Sequence, residues 1–384
     1  MNERQRGAVV HERSRVRVVV CGARFGQVYL QALARSNEFE LAGLLAQGSA
    51  RARACAEFYG VPLVTDPARM PAGVELACVV VRGGLLGGQG VEVAKTLMAQ
   101  GLHVLQEHPL HHDELAECLR CARRHGVVYR LNSFYVHLDP VRRFLCMARE
   151  LLRTRKIDYL DAACGFQMAY SLLDILGRTT GRLQPWGFAD PAPGMSKGTD
   201  PAPPFRCLLG TFAGVPLTLR IQNQLDPADP DNHAHVMHQV TVGSDAGQLM
   251  LAATHGPVVW SPRPEFPRTV TAADQPHFDR IEPVTDEPPS SAVFGPATVP
   301  GYQTLFGTAW PRGISRALGD LRRAAAAGED PLREGQYHLT LCRMWQDITA
   351  RLGPPELLQM TAPNLLTPAE LAVVAAAGTR EGTG

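Results

Sequence analysis

The sequence predicts an α/β domain with a parallel sheet, followed by an α+β domain with a mainly antiparallel open sheet, and two patterns along its 384 residues carry that reading. In the first third, short β-branched runs alternate with helical segments of about ten to fifteen residues joined by short loops, the pattern of right-handed strand-helix-strand units. In the second half, β-rich runs follow one another with turn residues between them, as antiparallel neighbours do.

The parallel series runs "RVRVVV" (15–20), a helix over 26–36, "FELAGLLA" (39–46), a helix over 49–59, "VELACVVV" (74–81), a helix over 88–101, "LHVLQE" (102–107), a helix over 113–125 and "VVYRL" (127–131). Asp113 and Glu114 open the fourth helix, where carboxylates cap the chain and complement the positive helix end. The antiparallel series is "KIDYLDAACGF" (156–166), "FRCLLGTFAG" (205–214), "VPLTLRIQNQL" (215–225), "HVMHQVTVGS" (235–244) and "GQLMLAAT" (247–254). Two irregular stretches, 185–205 with six prolines and 271–303, are long enough to be mobile surface or functional lids. The chain therefore divides into an N-terminal extension (1–14), a first domain (15–137), a second domain (138–353) and a C-terminal segment with a tail (354–384). The last helices of the second domain, 312–326 and 334–352, should pack back on the sheet.

Composition excludes several function classes. A net charge of +1, with charges scattered along the chain, supplies no basic field for nucleic acid or anionic lipid. Nine cysteines, an odd number in a chain far longer than disulfide scaffolds, read as reduced thiols of a cytosolic protein. Neither "MNERQRGAVVHERSR" nor the later run "IDYLDAACGFQMAYSLLDIL", which carries Asp158, Asp161 and Asp174, is a signal or a membrane span.

The first strand runs into "VVVCGARFGQVYL", which sets Gly22 and Gly26 between strand and helix. Glycine there permits a tight turn, and exposed N–H groups at a helix start attract a pyrophosphate. The fingerprint is imperfect, with Arg24 where a glycine is usual and the last glycine one residue early. The surrounding strands and helices nonetheless make the first domain a Rossmann dinucleotide-binding domain. The second strand ends "LLAQGSARAR", with no acid to hold a ribose 2′-hydroxyl. Ser49 and Arg51 suit a 2′-phosphate instead, with Arg24 as a further clamp, so the expected cofactor is NADPH/NADP+. Phe25 in the same turn, and Arg82 and Gly83 after the third predicted strand, complete the cofactor candidates with Glu107 and His108. Arg53 reads equally well as a solvated helix residue.

The run "CVVVRGGLLGGQGVEVAKTLMAQGLHVLQEHPL" ends in Glu107-His108-Pro109. It resembles the glucose-fructose oxidoreductase/inositol dehydrogenase/MocA superfamily, in which this strand ends Glu-Lys-Pro and the lysine lies beside the nicotinamide. Histidine replaces that lysine here, in a chain with only three lysines among 38 basic residues. In "AYSLLDILG" Asp174 is kept, while Ser171 stands where polyol dehydrogenases of the superfamily carry a histidine base. Together with "LAGLLAQGSARAR", "YGVPLVTD" and "GLHVLQEHPLHHDEL", these strings resemble the thiazolinyl imide reductases of siderophore assembly lines, of the yersiniabactin and pyochelin type. The resemblance implies NADPH-dependent reduction of a thiazoline C=N to a thiazolidine. It also implies a substrate held as a phosphopantetheine thioester on a nonribosomal peptide synthetase carrier domain, and a homodimer through the open sheet.

Hydride addition to an imine carbon leaves charge on nitrogen, so the reaction needs a placed proton donor. Two candidates end their strands at the ligand-collecting edge: His108, and Tyr135 in "LNSFYVHLDP". In the resembled family a histidine and a tyrosine at matching positions have been proposed as acids. With ordinary pKa values of about 6.5 and about 10, the tyrosine is the more fully protonated near neutrality, which makes Tyr135 the donor and His108 its support. Tyr135 as an aromatic at the domain junction with a satisfied hydroxyl is the plainer alternative, and His137, two residues on, is a reserve. Cys118 and Cys121 read as buried thiols on an apolar helix face, His111 and His112 as loop residues, and His233, His235 and His238 as strand histidines facing solvent; no metal is expected. Two other functions fit the sequence: an oxidoreductase of the same fold acting on a free sugar, cyclitol or linear imine, and a non-catalytic NADP-binding sensor.

Overall fold

The computed structural model describes residues 15–84, 87–191, 203–229, 232–264, 289–296, 298–359 and 366–378. The N-terminal extension, most of the two irregular stretches and the tail lie outside the described residues.

In β1 (Val16–Cys21) Val18 and Val20 face one side, Val19 and Cys21 the other, and all four are buried. Such a strand must be covered on both faces, which is what a parallel sheet provides. It pairs in parallel with β2 (Phe39–Leu45) and β4 (Leu76–Val79); β3 (Leu63–Val64), β5 (His103–Glu107) and β6 (Tyr129–Asn132) extend the sheet in the order β3-β2-β1-β4-β5-β6. Crossovers run through α1 (Gly26–Ala34), α2 (Ala50–Tyr59), α3 (Gly90–Ala99) and α4 (His112–His125). The strand order reverses between β1 and β4, which opens a crevice at the carboxyl ends of the strands. Only the two-residue β3, too short to show a period, was not anticipated.

α5 (Asp139–Thr154) leads into the second domain, which holds β7 (Tyr159–Gly165), α6 (Ala169–Thr180), β8 (Gly187–Phe188), β9 (Phe205–Phe212), β10 (Val215–Gln222), β11 (Gln224–Leu225), β12 (His238–Ser244), β13 (Gly247–Leu251), β14 (Val258–Pro262) and β15 (Ala292–Phe294). Its eight-stranded sheet runs β15-β14-β13-β12-β7-β10-β9-β8, antiparallel at every step except β7 with β10. α5 and α6 pack on one face, while Tyr159, Leu209 and Val293 stand exposed.

The last helices complete the first domain. After α7 (Tyr302–Thr304) and one π-helical turn (Leu305–Ala309), α8 (Trp310–Ala326) lies against α1 and β5. Its Ile314, Leu318 and Leu321 share a core with Val18, Val20 and Leu30. α9 (Pro331–Leu352) packs on α4 and β6, and Arg130 of β6 donates to Glu329 at 3.0 Å. β16 (Glu356–Leu357) pairs with β11, and α10 (Pro368–Gly378) ends the described chain. The sheet on which these helices pack back is thus the first one, because β5 and β6 would otherwise keep uncovered apolar faces.

Ile314 has no exposed surface. Ile314→Ala is expected to lower stability by about 3 kcal/mol, the cost of a buried methyl-group deletion that leaves a cavity. Urea unfolding should show it as a lower midpoint with an unchanged slope.

Candidate active site

The turn after β1 is shaped for close backbone approach. Gly22 has φ +103°, and a Cβ there would meet the Val80 carbonyl oxygen at 2.6 Å, so no other residue fits. α1 begins at Gly26 with no side-chain cap and no acid in its first turn, which leaves a helix N-terminus free for an anion. A Cβ on Gly26 would make only ordinary contacts with Val20 and Val80, so the fold itself does not demand glycine there. Arg24 is exposed at the tip. The Phe25 ring turns inward onto Tyr29, Phe134 and Trp310, with centroids 5.9–6.4 Å away, so Phe25 offers a cofactor its backbone and not its ring.

At the end of β2 the Ser49 hydroxyl caps α2, accepting from Ala52 N at 3.2 Å, and still has its own hydrogen to give. Arg51 is exposed and makes no hydrogen bond or ion pair among the described residues, whereas Arg53 folds back onto the Gly48 carbonyl. Arg82 is exposed after β4, and Gly83 is buried against the Glu114 carboxylate. The turns after β1, β2 and β4 therefore present an uncapped helix end and three exposed arginines, Arg24, Arg51 and Arg82. A dinucleotide with an additional phosphate fits this donor set.

Glu107 and Asn132 are opposite partners at the ends of β5 and β6. Tyr29 of α1 donates its hydroxyl to Glu107 Oε2, and Asn132 Nδ2 donates to Tyr29 Oη at 2.7 Å and to Glu107 Oε2 at 3.3 Å. Burial first, and the Glu107 charge second, push the Tyr29 hydroxyl well above its ordinary pKa, so it stays a donor. His108 Nδ1 lies 3.0 Å from both the Asn132 carbonyl oxygen and Glu107 Oε1. A carbonyl can only accept, so Nδ1 carries the hydrogen and Nε2, which has no partner among the described residues, is left for a ligand. The His108 ring stacks on Tyr170, 5.4 Å away and tilted by 24°.

Tyr135 is not in the strand as the sequence suggested. β6 ends at Asn132, whose Oδ1 accepts from Phe134 N at 3.0 Å; Phe134 takes φ +58°, and Tyr135–His137 form a 3-10 turn. Tyr135 and His108 still come together, with ring centroids 6.3 Å apart, in an aromatic group that includes Phe134 and Trp310. The turn sends His137 elsewhere: burial lowers it to about 4, and its Nδ1 lies 3.7 Å from Asp320, so it leaves the reserve role.

Four other histidines depart from the sequence reading. His238 has no exposed surface, because positions 238, 240 and 242 of β12 face α5 and α6. Its ring stands 4.7 Å from Tyr135. The Ser171 hydroxyl donates to the Met168 carbonyl and so accepts from His238 Nε2 at 2.8 Å, while Thr254 meets Nδ1 at 3.0 Å. Burial above all, with His108 and His255 nearby, holds His238 at about 3, so it is a neutral brace behind Tyr135. His233 is buried as well, and only His235 faces solvent. His111 is the N-cap of α4, accepting from Asp113 N at 3.4 Å while Glu114 accepts from its N–H at 3.0 Å; His112 is the first helical residue and accepts from Arg343. Both line a surface cleft of about 860 Å³ with Phe166 and Trp345. Cys118 and Cys121 are buried, and burial raises the Cys118 thiol to about 12. Among the described residues no group of three or more His, Cys, Asp or Glu could hold a metal ion, and no helix is long and apolar enough to cross a membrane.

Sequence reasoning missed Tyr29, Asn132, Tyr170 and His238, which build the site from four different elements. Asp174, noticed only as a remnant motif, is fully buried and accepts from Ser133, from Arg178 at 2.8 Å and from Tyr337 at 2.7 Å.

Residues 16–133 match the profile of an oxidoreductase family with an NAD-binding Rossmann fold, and residues 155–261 match the C-terminal domain of Irp3-like thiazolinyl imine reductases. No curated protein matches the chain. Among solved structures, KijD10, a 3-ketoreductase from Actinomadura kijaniata in complex with NADP and TDP-benzene, aligns with TM-score 0.60 at 16% identity over 90% of this chain and 100% of its own. GenD2 from gentamicin A biosynthesis, in complex with NAD, aligns with TM-score 0.60 at 13% identity over 94% and 100%. Levoglucosan dehydrogenase, in complex with NADH and levoglucosan, aligns with TM-score 0.61 at 12% identity over 88% and 97%. Identities this low show a shared fold alone. With the family match to its first domain, the chain is an NAD(P)-dependent oxidoreductase of this fold.

The buried carboxylate beside the site sets an acid limit. Burial alone would raise Asp174, but Arg178, His338, Ser133 and Tyr337 outweigh it and hold the group at about 2. A depressed carboxylate stabilises the fold above its unfolded pKa and loses that contribution as pH falls through the folded one. Asp174→Asn should therefore cost about 3 kcal/mol at neutral pH. It should also flatten the fall in stability between about pH 4 and about pH 2, as read by denaturant unfolding across that range.

Proposed function

We propose that the protein reduces a thiazoline C=N to a thiazolidine with NADPH, on an intermediate tethered through phosphopantetheine to a nonribosomal peptide synthetase carrier domain in siderophore assembly. The observation that carries this reading is the pairing of His108 with Tyr135 at the edge of the parallel sheet, with a second domain that matches the thiazolinyl imine reductase profile. Where a polyol dehydrogenase of the resembled superfamily would hold a histidine base, Ser171 is spent on His238, whose two nitrogens are both occupied. That leaves no histidine base at this position to take a proton from an alcohol, while Tyr135 and His108 stand together where an imine nitrogen would receive one. The three solved neighbours share the fold at 16% identity or less and carry no argument for the substrate.

Held by the glycine turn between β1 and α1, NADPH would supply a hydride for the imine carbon. The Tyr135 hydroxyl gives the nitrogen its proton, and His108 restores it through Nε2. His238 and Trp310 fix the Tyr135 ring, 4.7 and 6.2 Å away, and help to exclude water around it. Arg51 and Ser49 receive the 2′-phosphate, with Arg24 and Arg82 nearer the turns. A second copy of the chain covers the open sheet face with its exposed Tyr159, Leu209 and Val293.

Incubation with NADPH and a thiazoline presented on a carrier domain or as a thioester mimic should consume NADPH and add two hydrogens to the product mass. Turnover of a polyol without turnover of a thiazoline would sink the proposal. Tyr135→Phe should lower kcat by about a hundredfold while leaving NADPH affinity within about threefold, the range of a lost general acid. Arg51→Ala should weaken NADPH by about tenfold, or about 1.4 kcal/mol, and leave NADH nearly unaffected; titration of intrinsic fluorescence measures both.

A further inference from the structure

We infer that Glu107 is the positioning residue that lets His108 carry the proton: a buried carboxylate–imidazole pair in which Glu107 compensates the imidazolium and Asn132 fixes the ring so that only Nε2 exchanges. The inference rests on the thiazoline-reductase reading for its substrate, and on geometry alone for the pair.

Glu107 is mostly enclosed, its side chain 11% exposed, and among the described residues no arginine or lysine pairs with it; its neighbours are Tyr29, Asn132 and His108. A buried carboxylate without a fixed cation is costly unless hydrogen bonds or a charge that can appear beside it offset the burial. Two neutral donors reach Oε2, while Oε1 faces His108 Nδ1 at 3.0 Å. Nδ1–H donates to the Asn132 carbonyl at 3.0 Å, an acceptor that stays in place whether the ring is neutral or charged, so the Glu107 contact is one of charge and proximity. Gain and loss of a proton at Nε2 therefore leave every other hydrogen bond of the ring unchanged, which keeps reorganisation small.

The balance of the step is simple. The hydride pair forms the new C–H bond, the C=N π pair moves to nitrogen, and the nitrogen takes the Tyr135 proton. Nε2–H of the imidazolium restores that proton, and the neutral ring is recharged from solvent. The titratable groups facing His108 are Glu107 of β5, Tyr29 of α1, Tyr135 of the 3-10 turn, Tyr170 of α6 and His238 of β12. Glu107 is the one anion among them, and a lysine or arginine is absent from the set.

Glu107→Gln keeps the size and an acceptor oxygen but removes the charge. It should lower kcat by about thirtyfold and leave KM for the thiazoline within about threefold. Tyr29→Phe removes a donor from Oε2 but keeps the carboxylate beside His108, so kcat should fall by no more than about threefold. A Glu107→Gln enzyme with unchanged kcat, or a Tyr29→Phe enzyme as slow as Glu107→Gln, would overturn the pair. A readout free of substrate and cofactor separates this from the thiazoline reading. Long-range 1H–15N correlation spectra of the resting protein, with His108 assigned by comparison with His108→Gln, should show the Nδ1–H tautomer at alkaline pH. The Nε2–H tautomer would refute the geometry whatever the substrate proves to be.

Discussion

The site depends on what happens at the end of β6, where one asparagine serves four partners. Asn132 Nδ2 holds Tyr29 and Glu107, its Oδ1 accepts from Phe134 N, and its carbonyl accepts from both the backbone and the ring of His108. The first two contacts tie α1 and β5 to β6. The third stops the strand and throws the chain into the turn that carries Tyr135; the fourth selects the tautomer of His108. An unpaired buried amide costs about 1–3 kcal/mol per lost partner, so these contacts form together or not at all. A leucine of similar size would keep the packing and the backbone carbonyl that meets His108, and would lose the ties to Tyr29 and Glu107 and the acceptor that ends the strand.

A second constraint locks the two domains around that point. Asp174 lies on α6, and the groups that hold its charge come from Ser133 beyond β6, Arg178 on α6 and Tyr337 on α9. Ser133 is two residues from Tyr135, so the carboxylate that fixes the second domain also fixes the turn that carries Tyr135. Arg178 in turn approaches Glu334 at 3.5 Å, and Glu334 pairs with Arg130 of β6. Such a network contributes less net stability than its contact distances suggest, because each charge was desolvated to make it. Its value lies in discrimination, since a displaced α6 would part Asp174 from Ser133 and Tyr337 and leave its buried charge only Arg178 of its own helix.

Much of this was legible in the sequence where the signal is local. Gly22 could be read as a turn glycine because its neighbours are a strand and a helix, and His108 and Tyr135 could be placed because strand ends in such a sheet lie on one edge. The parts that escaped are decided by contacts between distant segments. Nothing near 310–350 shows that α8 and α9 cover the first sheet; that follows from what β5 and β6 lack. His238 looked like a solvent-facing strand residue because the register that buries positions 238, 240 and 242 is set by pairing with β7, some 75 residues earlier. His111 gave no sign of capping α4, since histidine is seldom the residue chosen there and Asp113 stood nearby as the more familiar cap.

The histidine at position 108 gains its meaning from the carboxylate next to it. The resembled superfamily has lysine there, a cation fixed across the neutral range, and a fixed cation beside Glu107 would form an ordinary buried ion pair with little tendency to give up a proton. Histidine can be present in either charge state near neutrality. Its ring is also planar, so it can stack on Tyr170 and use two opposite nitrogens for different tasks, one donating to the Asn132 carbonyl beside Glu107 and the other open. A lysine ammonium has no such division, because its three donors rotate about one bond. On the proposed reaction, a site that hands over one proton per turnover at a defined point in space is better served by the residue with a fixed plane and one open nitrogen, and the histidine at 108 then belongs with the serine at 171: the first would supply a proton, and the second leaves no base at that position to take one.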